Sequence, residues 1–296
     1  MKATVPMTNA KSVLEISGPL STHWVGNGFP VRTLLSPQVQ GQGISPFLLL
    51  DYAGPREFGP TTERRGVEEH PHRGFETVTI VYQGELEHRD SAGHHGRLGP
   101  GDVQWMTAAS GIVHEELHER GFARRGGVFE VVQLWVNLPA AQKMSPPRYQ
   151  ELSAARNPVV TLPGGAYVRV IAGDCGGIEG VARTATPLNV WDVRVAAGRR
   201  ADLEIPAGHN AMVALLRGEV VLDGQERLTG PQIVLLGRDG DRVRLEAQSD
   251  AGLVLLSGEP LDEPIASHGP FVMNTEAEIR QAYDDYRSGR MGHLAG

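Results

Sequence analysis

The sequence predicts an all-β fold made of two antiparallel β-barrels, followed by one short C-terminal helix. Short segments rich in Val, Ile, Thr and aromatic residues recur along the whole chain, and such segments favour strands. The 37 Gly and 20 Pro among 296 residues are scattered, as expected for many strands joined by turns. One strand–turn–strand pattern occurs in both halves, which indicates two copies of the same barrel.

The first half contains four strong strand segments bounded by turn-forming sequence. They are residues 47–52, 76–90, 102–107 and 128–138. The stretch that follows, residues 137–152, loses the strand pattern and contains three prolines. We therefore predict a linker there. An N-terminal barrel is expected over residues 1–140, and a C-terminal barrel with the helix over residues 141–296.

An internal repeat connects the two halves. TVTIVYQGELEHRD (residues 77–90) resembles MVALLRGEVVLDG (residues 212–224), and each is followed by a Gly-Pro turn and another apolar strand. Repeated units of this length indicate that one supersecondary arrangement has been used twice.

The end of the chain predicts a helix. Thr275 followed by Glu278 is a capping-box pattern, and Gly289 is a stop signal. Between them lies an apolar stripe at helical spacing, formed by Ile279, Ala282, Tyr283 and Tyr286. We expect this stripe to dock on a barrel.

Composition and charge argue against several classes of protein. A content of 40% hydrophobic and 21% charged residues is typical of a globular chain. The net charge of −7 and the scattered Lys and Arg argue against nucleic-acid binding, and the short basic run at residues 123–127 is interpreted as a solvated loop. No apolar run approaches the roughly 18 residues of a membrane span, and no signal peptide is visible, so we expect a cytoplasmic protein. The single cysteine, Cys175, excludes an intrachain disulfide.

Two pairs of side chains carry the candidate chemistry. His70 and His72 lie in HPHRGFE, and His114 and Glu116 lie in GIVHEE. Residues i and i+2 of a strand point to the same face, so two neighbouring strands would bring both pairs to one point. Three imidazoles and a carboxylate suit one first-row transition metal with an open position, whereas Mg²⁺ and Ca²⁺ prefer oxygen donors. We therefore predict one divalent transition metal per chain.

Two other interpretations use the same region. HEELH (residues 114–118) matches the helical H-E-x-x-H motif of zinc proteases, with its two histidines as ligands and Glu115 as the base. The flanking glycines leave room for only about two helical turns, which disfavours this interpretation. Alternatively, Glu76 replaces Glu116 as the carboxylate ligand, because it follows the His pair at a spacing that also suits a metal site. From spacing alone, both carboxylates remain candidates.

The segments that carry these motifs resemble the pirin family of the cupin superfamily. The resemblance rests on HPHRGFETVTIV, on GHHGRLGPGDVQWMTAASGIVHEE and on EPIASHGPFVMNTEAEIRQAYDDYRSGRMG. It spans both halves of the chain. PGDVQWM lacks the His of the general cupin second motif, in agreement with a pirin pattern. The resemblance implies two antiparallel cupin (jelly-roll) barrels packed face to face, with a metal only in the N-terminal one.

The resemblance also implies the ligand set. Pirins combine the H-x-H pair with the later H-x-E, which implies His70, His72, His114 and Glu116 as ligands and leaves Glu76 outside them. Fe²⁺ is the implied metal, although an imidazole-rich site also accepts Ni, Cu, Zn, Mn or Co.

The second half carries no equivalent pair. When the two repeats are aligned on their shared Gly-Glu, Glu204 and Pro206 fall near the H-x-H positions. His209 has no His partner two residues away. We therefore expect a C-terminal barrel without a metal.

The resemblance implies two functions of different classes. The first is an enzyme like quercetin 2,3-dioxygenase, which opens the heterocyclic ring of a flavonol with O₂ and releases CO, with Glu116 taking the proton of the substrate hydroxyl. The second is a metal- or redox-sensing regulator that binds a protein partner, such as a transcription factor or a pyruvate dehydrogenase component. No exposed apolar run or charge block marks an interface in the sequence, which favours the enzyme. Phe75, Trp105 and Met106 are candidate pocket-wall residues.

Overall fold

The structure, a computed structural model, describes residues 9–294. Strands make up most of its regular elements, as the sequence predicts. In chain order the strands are β1 (Val13–Ser17), β2 (His23–Val25), β3 (Phe29–Leu35), β4 (Phe47–Phe58), β5 (Gly66–His72), β6 (Phe75–Gln83), β7 (Leu86–Asp90), β8 (His95–Leu98), β9 (Val103–Thr107), β10 (Ile112–His118), β11 (Gly127–Asn137), β12 (Arg148–Leu152), β13 (Val159–Thr161), β14 (Tyr167–Ala172), β15 (Asp174–Cys175), β16 (Ile178–Glu179), β17 (Leu188–Val195), β18 (Arg200–Glu204), β19 (Asn210–Arg217), β20 (Glu219–Leu222), β21 (Glu226–Thr229), β22 (Gln232–Leu236), β23 (Arg242–Ala247), β24 (Ala251–Gly258), β25 (Ala266–His268) and β26 (Phe271–Met273). The helices are α1 (Pro37–Gln40), α2 (Arg120–Arg125) and α3 (Glu276–Arg287), with 3₁₀ turns at Gly41–Ile44 and Ala140–Gln142. No helix within residues 9–294 is long and apolar enough to cross a membrane.

The described residues form two compact units, each assembled from separate stretches of chain. The N-unit comprises Leu20–Gly41, Ser45–Arg156 and residues 261–294, and the C-unit comprises residues 9–19, Gln42–Ile44 and Asn157–Pro260. The division between residues 140 and 141 stays a prediction from the sequence. In the structure, strand pairing connects distant stretches of chain within each unit. β1 pairs antiparallel with β22 inside the C-unit, and β12 pairs with β9 inside the N-unit.

Both units have the same plan, which confirms the repeat seen in the sequence. In the N-unit, a seven-stranded sheet of order β12-β9-β6-β11-β4-β3-β2 accompanies a four-stranded sheet of order β5-β10-β7-β8. In the C-unit, the corresponding orders are β1-β22-β19-β24-β17-β14-β13 and β18-β23-β20-β21. All pairings of these strands are antiparallel, so each unit is a two-sheet jelly roll. The sheets remain open at their edges and are not closed barrels.

The predicted linker is an ordered part of the N-unit. Within it lie a 3₁₀ turn and β12, which is an edge strand of the seven-stranded sheet. Lys143 is only 1% exposed, and burial lowers its pKa to about 8. Its Nζ donates to the Gly74 carbonyl (2.7 Å), to Asn137 Oδ1 (2.6 Å) and to the Val272 carbonyl (3.0 Å). The ammonium thus joins three separate segments of the unit.

Replacing this lysine tests how much the three hydrogen bonds stabilise the fold. We expect Lys143→Met to lower the free energy of unfolding by about 3 kcal/mol, because the methylene volume is kept while three buried acceptors lose their donor. Denaturant unfolding at pH 7 measures the change. Lys11→Met is the matched control in the C-unit. Lys11 is also buried, but it makes two longer hydrogen bonds, to the carbonyls of Gly237 (3.1 Å) and Asp239 (3.4 Å), so a smaller loss of stability is expected. An equal loss in both variants would contradict the prediction.

The predicted terminal helix and its capping box are confirmed in α3. The Glu278 N–H donates to Thr275 Oγ1 at 3.2 Å, and the Thr275 N–H donates to Glu278 Oε2 at 2.8 Å. The stripe residues Ile279 and Ala282 are buried in a cluster that includes Val113 of β10. The helix therefore docks directly behind a strand that carries candidate metal ligands.

Candidate metal centre

The candidate ligand strands are neighbours in the four-stranded sheet. β5 pairs antiparallel with β10, with His70 opposite His114 and His72 opposite Ile112. The His70 ring centroid lies 4.2 Å from that of His114 and 4.8 Å from that of His72, and the His72 and His114 centroids are 5.0 Å apart. Strand parity therefore predicts correctly that the H-x-H pair and His114 converge.

Two overlapping groups of side chains have the geometry to hold a metal. One consists of His70, His72 and His114, and the other of His88, His114 and Glu116; in each, the ligand atoms lie within 4.8 Å of one another. The structure thus brings together the four residues that the sequence singles out, with His114 common to both groups. It adds His88, which the sequence analysis missed.

Two of the imidazoles have their tautomers set by backbone carbonyls. His70 Nδ1 lies 2.7 Å from the Glu68 carbonyl oxygen, and His72 Nδ1 lies 3.3 Å from that of Pro270. Because a carbonyl oxygen only accepts hydrogen bonds, each Nδ1 carries the proton and each Nε2 keeps its lone pair. This arrangement of outer partners is typical of metal-binding histidines.

Burial keeps the two inner imidazoles neutral. His72 and His114 are buried, and desolvation followed by the charge of His70 lowers the pKa of both well below the ordinary value. His114 Nε2 is fully buried and has no hydrogen-bond partner among the described residues. A buried polar atom without a partner is costly unless something binds it. The neutral imidazoles and this atom therefore fit a transition-metal ligand set.

Glu116 is held from the opposite, seven-stranded sheet of the same unit. Thr79 Oγ1 and Gln104 Nε2 donate to its Oε1 at 3.0 and 3.2 Å, and Gln133 Nε2 donates to its Oε2 at 3.2 Å. These donors belong to three adjacent strands of one sheet, β6, β9 and β11. They fix the plane of the carboxylate beside the imidazoles.

Glu76 lies on the other face of β6. Thr79 faces the candidate centre, since it donates to Glu116, and side chains alternate along a strand. Glu76 is three residues away and therefore points away from the imidazoles. There it accepts a hydrogen bond from Thr107 Oγ1 at 2.6 Å, and burial raises its pKa.

The candidate pocket wall is partly different from that expected. The Phe75 ring centroid lies 5.1 Å from that of His72, but Phe75 is fully buried. The Trp135 centroid lies 5.3 Å from that of His72, and Trp135, which the sequence analysis missed, keeps some exposed surface. Met106 pairs with a residue on this face of β6, whereas Trp105 pairs with one on the Glu76 face. Trp105 is therefore not a wall residue, because its place in the register turns it away.

His88 belongs to a buried polar row on β7. Its ring is 3% exposed and stacks on Tyr149 at a centroid distance of 4.8 Å, and its Nε2 lies 3.3 Å from Asp90 Oδ2. Burial alone would raise the pKa of Asp90, but hydrogen bonds from His88 and from the His94 N–H outweigh it and lower that pKa. The H-x-D spacing on a strand is the signal that would have revealed this pair.

HEELH forms a strand rather than a helix, which contradicts the protease interpretation. At a rise of roughly 3.3 Å per residue, the Cα atoms of His114 and His118 lie about 13 Å apart, too far to share one metal. His118 Nε2 lies 3.1 Å from the Gly28 carbonyl oxygen. Its ring packs against four aromatic rings, those of Phe29, Phe58, Phe122 and Phe129.

His118 accordingly offers a test of the site boundary. We expect His118→Phe to retain the metal content of the unmodified chain, because the aromatic packing is kept and no candidate ligand is touched. Elemental analysis of the purified variant measures this. Loss of metal from a variant that remains folded would restore the H-E-x-x-H interpretation.

The C-unit has a different interior. Its buried cluster is apolar and includes Trp191, Leu215 and Leu253. Glu204 and Pro206 are exposed, and His209 is buried but belongs to neither of the groups with the geometry to hold a metal. Within residues 9–294, both groups that could hold a metal lie in the N-unit.

Comparisons with known proteins agree with this architecture. A family model described as Pirin matches residues 28–136, and one described as Pirin C-terminal cupin domain matches residues 190–292. The chain is 58% identical over 281 residues to a Pseudomonas aeruginosa protein whose name provisionally assigns quercetin 2,3-dioxygenase activity, covering 95% of this chain and 98% of that protein. It is 37% identical to human pirin, covering 88% of this chain and 87% of that protein. A crystal structure of quercetin 2,3-dioxygenase from Acinetobacter baumannii aligns with a TM-score of 0.94 at 49% identity, covering 97% of this chain and 100% of that chain.

Proposed function

Because the chain belongs to the pirin family, with a cupin fold in each half, we propose that it is a metal-dependent dioxygenase. Its substrate is a flavonol such as quercetin, whose heterocyclic ring is opened by O₂ with release of CO. The two overlapping groups that share His114, one with His70 and His72 and the other with Glu116, are the observation that carries the proposal. The names of the two bacterial relatives support the substrate class.

The ligands in this proposal are His70, His72, His114 and Glu116. Their donor set suits one divalent first-row metal, and we favour Fe²⁺, with Ni, Cu, Zn, Mn or Co as alternatives. When bound, such a metal supplies a Lewis-acid contact to the flavonol oxygens and a centre for O₂ chemistry.

Glu116 acts as the base. Its carboxylate accepts the proton of the flavonol hydroxyl, which makes the substrate an electron-rich anion ready to react with O₂. The donors from Thr79, Gln104 and Gln133 hold both carboxylate oxygens in place during this step. Orientation by several donors is the usual way in which a protein presents such a group.

Substrate approaches over His70. His70 and Trp135 retain some exposed surface, whereas His72, His114 and Glu116 are buried. The ring centroids of Trp135 and Phe75 are 4.3 Å apart, and both lie beside His72. Phe75 is fully buried and supports Trp135, whose partly exposed ring offers an aromatic surface to a planar aromatic substrate.

The test is a flavonol assay on full-length chain purified without oxygen and loaded with Fe²⁺. We expect flavonol loss, O₂ consumption and CO release in equal amounts. Tight metal binding without flavonol loss would contradict the enzyme and favour the regulatory function.

A further inference from the structure

The third imidazole of the centre lacks the carbonyl partner of the other two. His114 Nδ1 lies 3.5 Å from His88 Nδ1, at the outer limit of a hydrogen bond. A neutral imidazole nitrogen either donates or accepts, depending on its tautomer. This contact alone therefore leaves open which nitrogen of His114 keeps the lone pair that a metal needs.

Asp90 resolves the choice. A carboxylate only accepts, so the His88 Nε2 beside Asp90 Oδ2 must donate. With Nε2 donating to Asp90, the Nδ1 of His88 is the nitrogen left to accept, and the facing His114 Nδ1 then donates to it. The lone pair of His114 is left on Nε2, which is the buried atom without a hydrogen-bond partner among the described residues.

We infer that Asp90 and His88 are positioning residues, which act through hydrogen bonds to hold His114 in the tautomer that presents Nε2 to the metal. The inference rests on the metal site of the proposed function, but not on flavonol chemistry. In this arrangement His88 is hydrogen-bonded to the ligand His114 and does not itself bind the metal.

The surroundings keep both residues in this arrangement. Asp90 Oδ1 accepts from the backbone N–H groups of Ala92 at 2.9 Å and His94 at 3.0 Å. The His88 ring lies nearly parallel to Tyr149, with an interplanar angle of 19°. Tyr149 donates to Gln104 Oε1 at 3.2 Å, so the stacked ring is itself anchored. Partners held this firmly set the orientation of a ligand before the metal arrives.

Two substitutions of His88 separate hydrogen bonding from packing. In the full-length chain, His88→Phe keeps the stacked ring but removes the acceptor, and we expect Zn²⁺ affinity, measured by chelator competition, to fall about 10–100-fold. His88→Asn places a carbonyl oxygen near the former Nδ1 and should stay within a few-fold of the unmodified chain. His118→Phe, a buried histidine on the same strand as His114, is the matched control. Unchanged affinity in His88→Phe, or equal losses in the Phe and Asn variants, would overturn the inference.

Nitrogen-15 spectra of the zinc-loaded, otherwise unmodified chain give a second readout. We expect a proton on His114 Nδ1, zinc on its Nε2 and no zinc on His88. Zinc on His114 Nδ1, or on either nitrogen of His88, would refute the inference. If zinc binding and the spectra are as expected but the Fe²⁺-loaded chain does not turn over flavonol, the proposed enzyme activity is contradicted and the role of His88 is not.

Discussion

His114→Ala is expected to reduce the metal content of the purified chain from about one atom per molecule to near zero. His114 is common to both candidate groups, and its Nε2 is the buried atom without a partner among the described residues. Removing it takes away one imidazole and opens a gap in the centre of the remaining ligands. Few other changes in the chain should have an effect as large.

Elemental analysis after anaerobic purification measures the metal, and thermal unfolding shows whether the loss is specific. A metal that binds only the folded chain raises the melting temperature, so added metal should stabilise the unmodified chain but not His114→Ala. His70→Ala should also lose metal, since His70 faces His114 across the strand pair. Unchanged metal content in both variants would exclude the assigned site.

Glu116→Gln is expected to lower flavonol turnover by about 10²–10⁴-fold per bound metal, the usual contribution of a general base. The amide keeps the volume of the carboxylate but no longer takes the substrate proton. Initial rates of flavonol loss, normalised to metal content, measure the effect.

Glu76→Gln is the matched control, because Glu76 is also buried on a strand of the same unit but faces away from the imidazoles. Its turnover should stay within a few-fold of the unmodified chain. If Glu76→Gln alone abolished turnover, the general cupin ligand pattern would be the better assignment.

Local periodicity explains what the sequence predicts well. The period of two along a strand places His70 with His72, and His114 with Glu116, without knowledge of any partner strand. The capping box of α3 is likewise a property of neighbouring residues. Such features depend on spacing, which is visible in one chain.

Register and long-range contacts explain what the sequence left open. Thr79 and Gln133 reach Glu116 only because β6 and β11 lie opposite β10, and no local pattern indicates that. The same placement turns Glu76 away from the imidazoles, which argues against Glu76 as a metal ligand. Lys143 lies in a proline-rich stretch, yet its buried contacts to distant backbone make that stretch part of the fold.

The carbonyl that orients His72 belongs to Pro270, 198 positions later in the chain. At a synthesis rate of about 5–20 residues per second, roughly 10–40 s separate their appearance at the ribosome. Throughout that interval the H-x-H pair exists without the partner that sets one of its tautomers. We therefore expect a nascent chain to bind metal weakly until β25 and β26 have been made. Tight metal binding would then indicate that synthesis has passed this point.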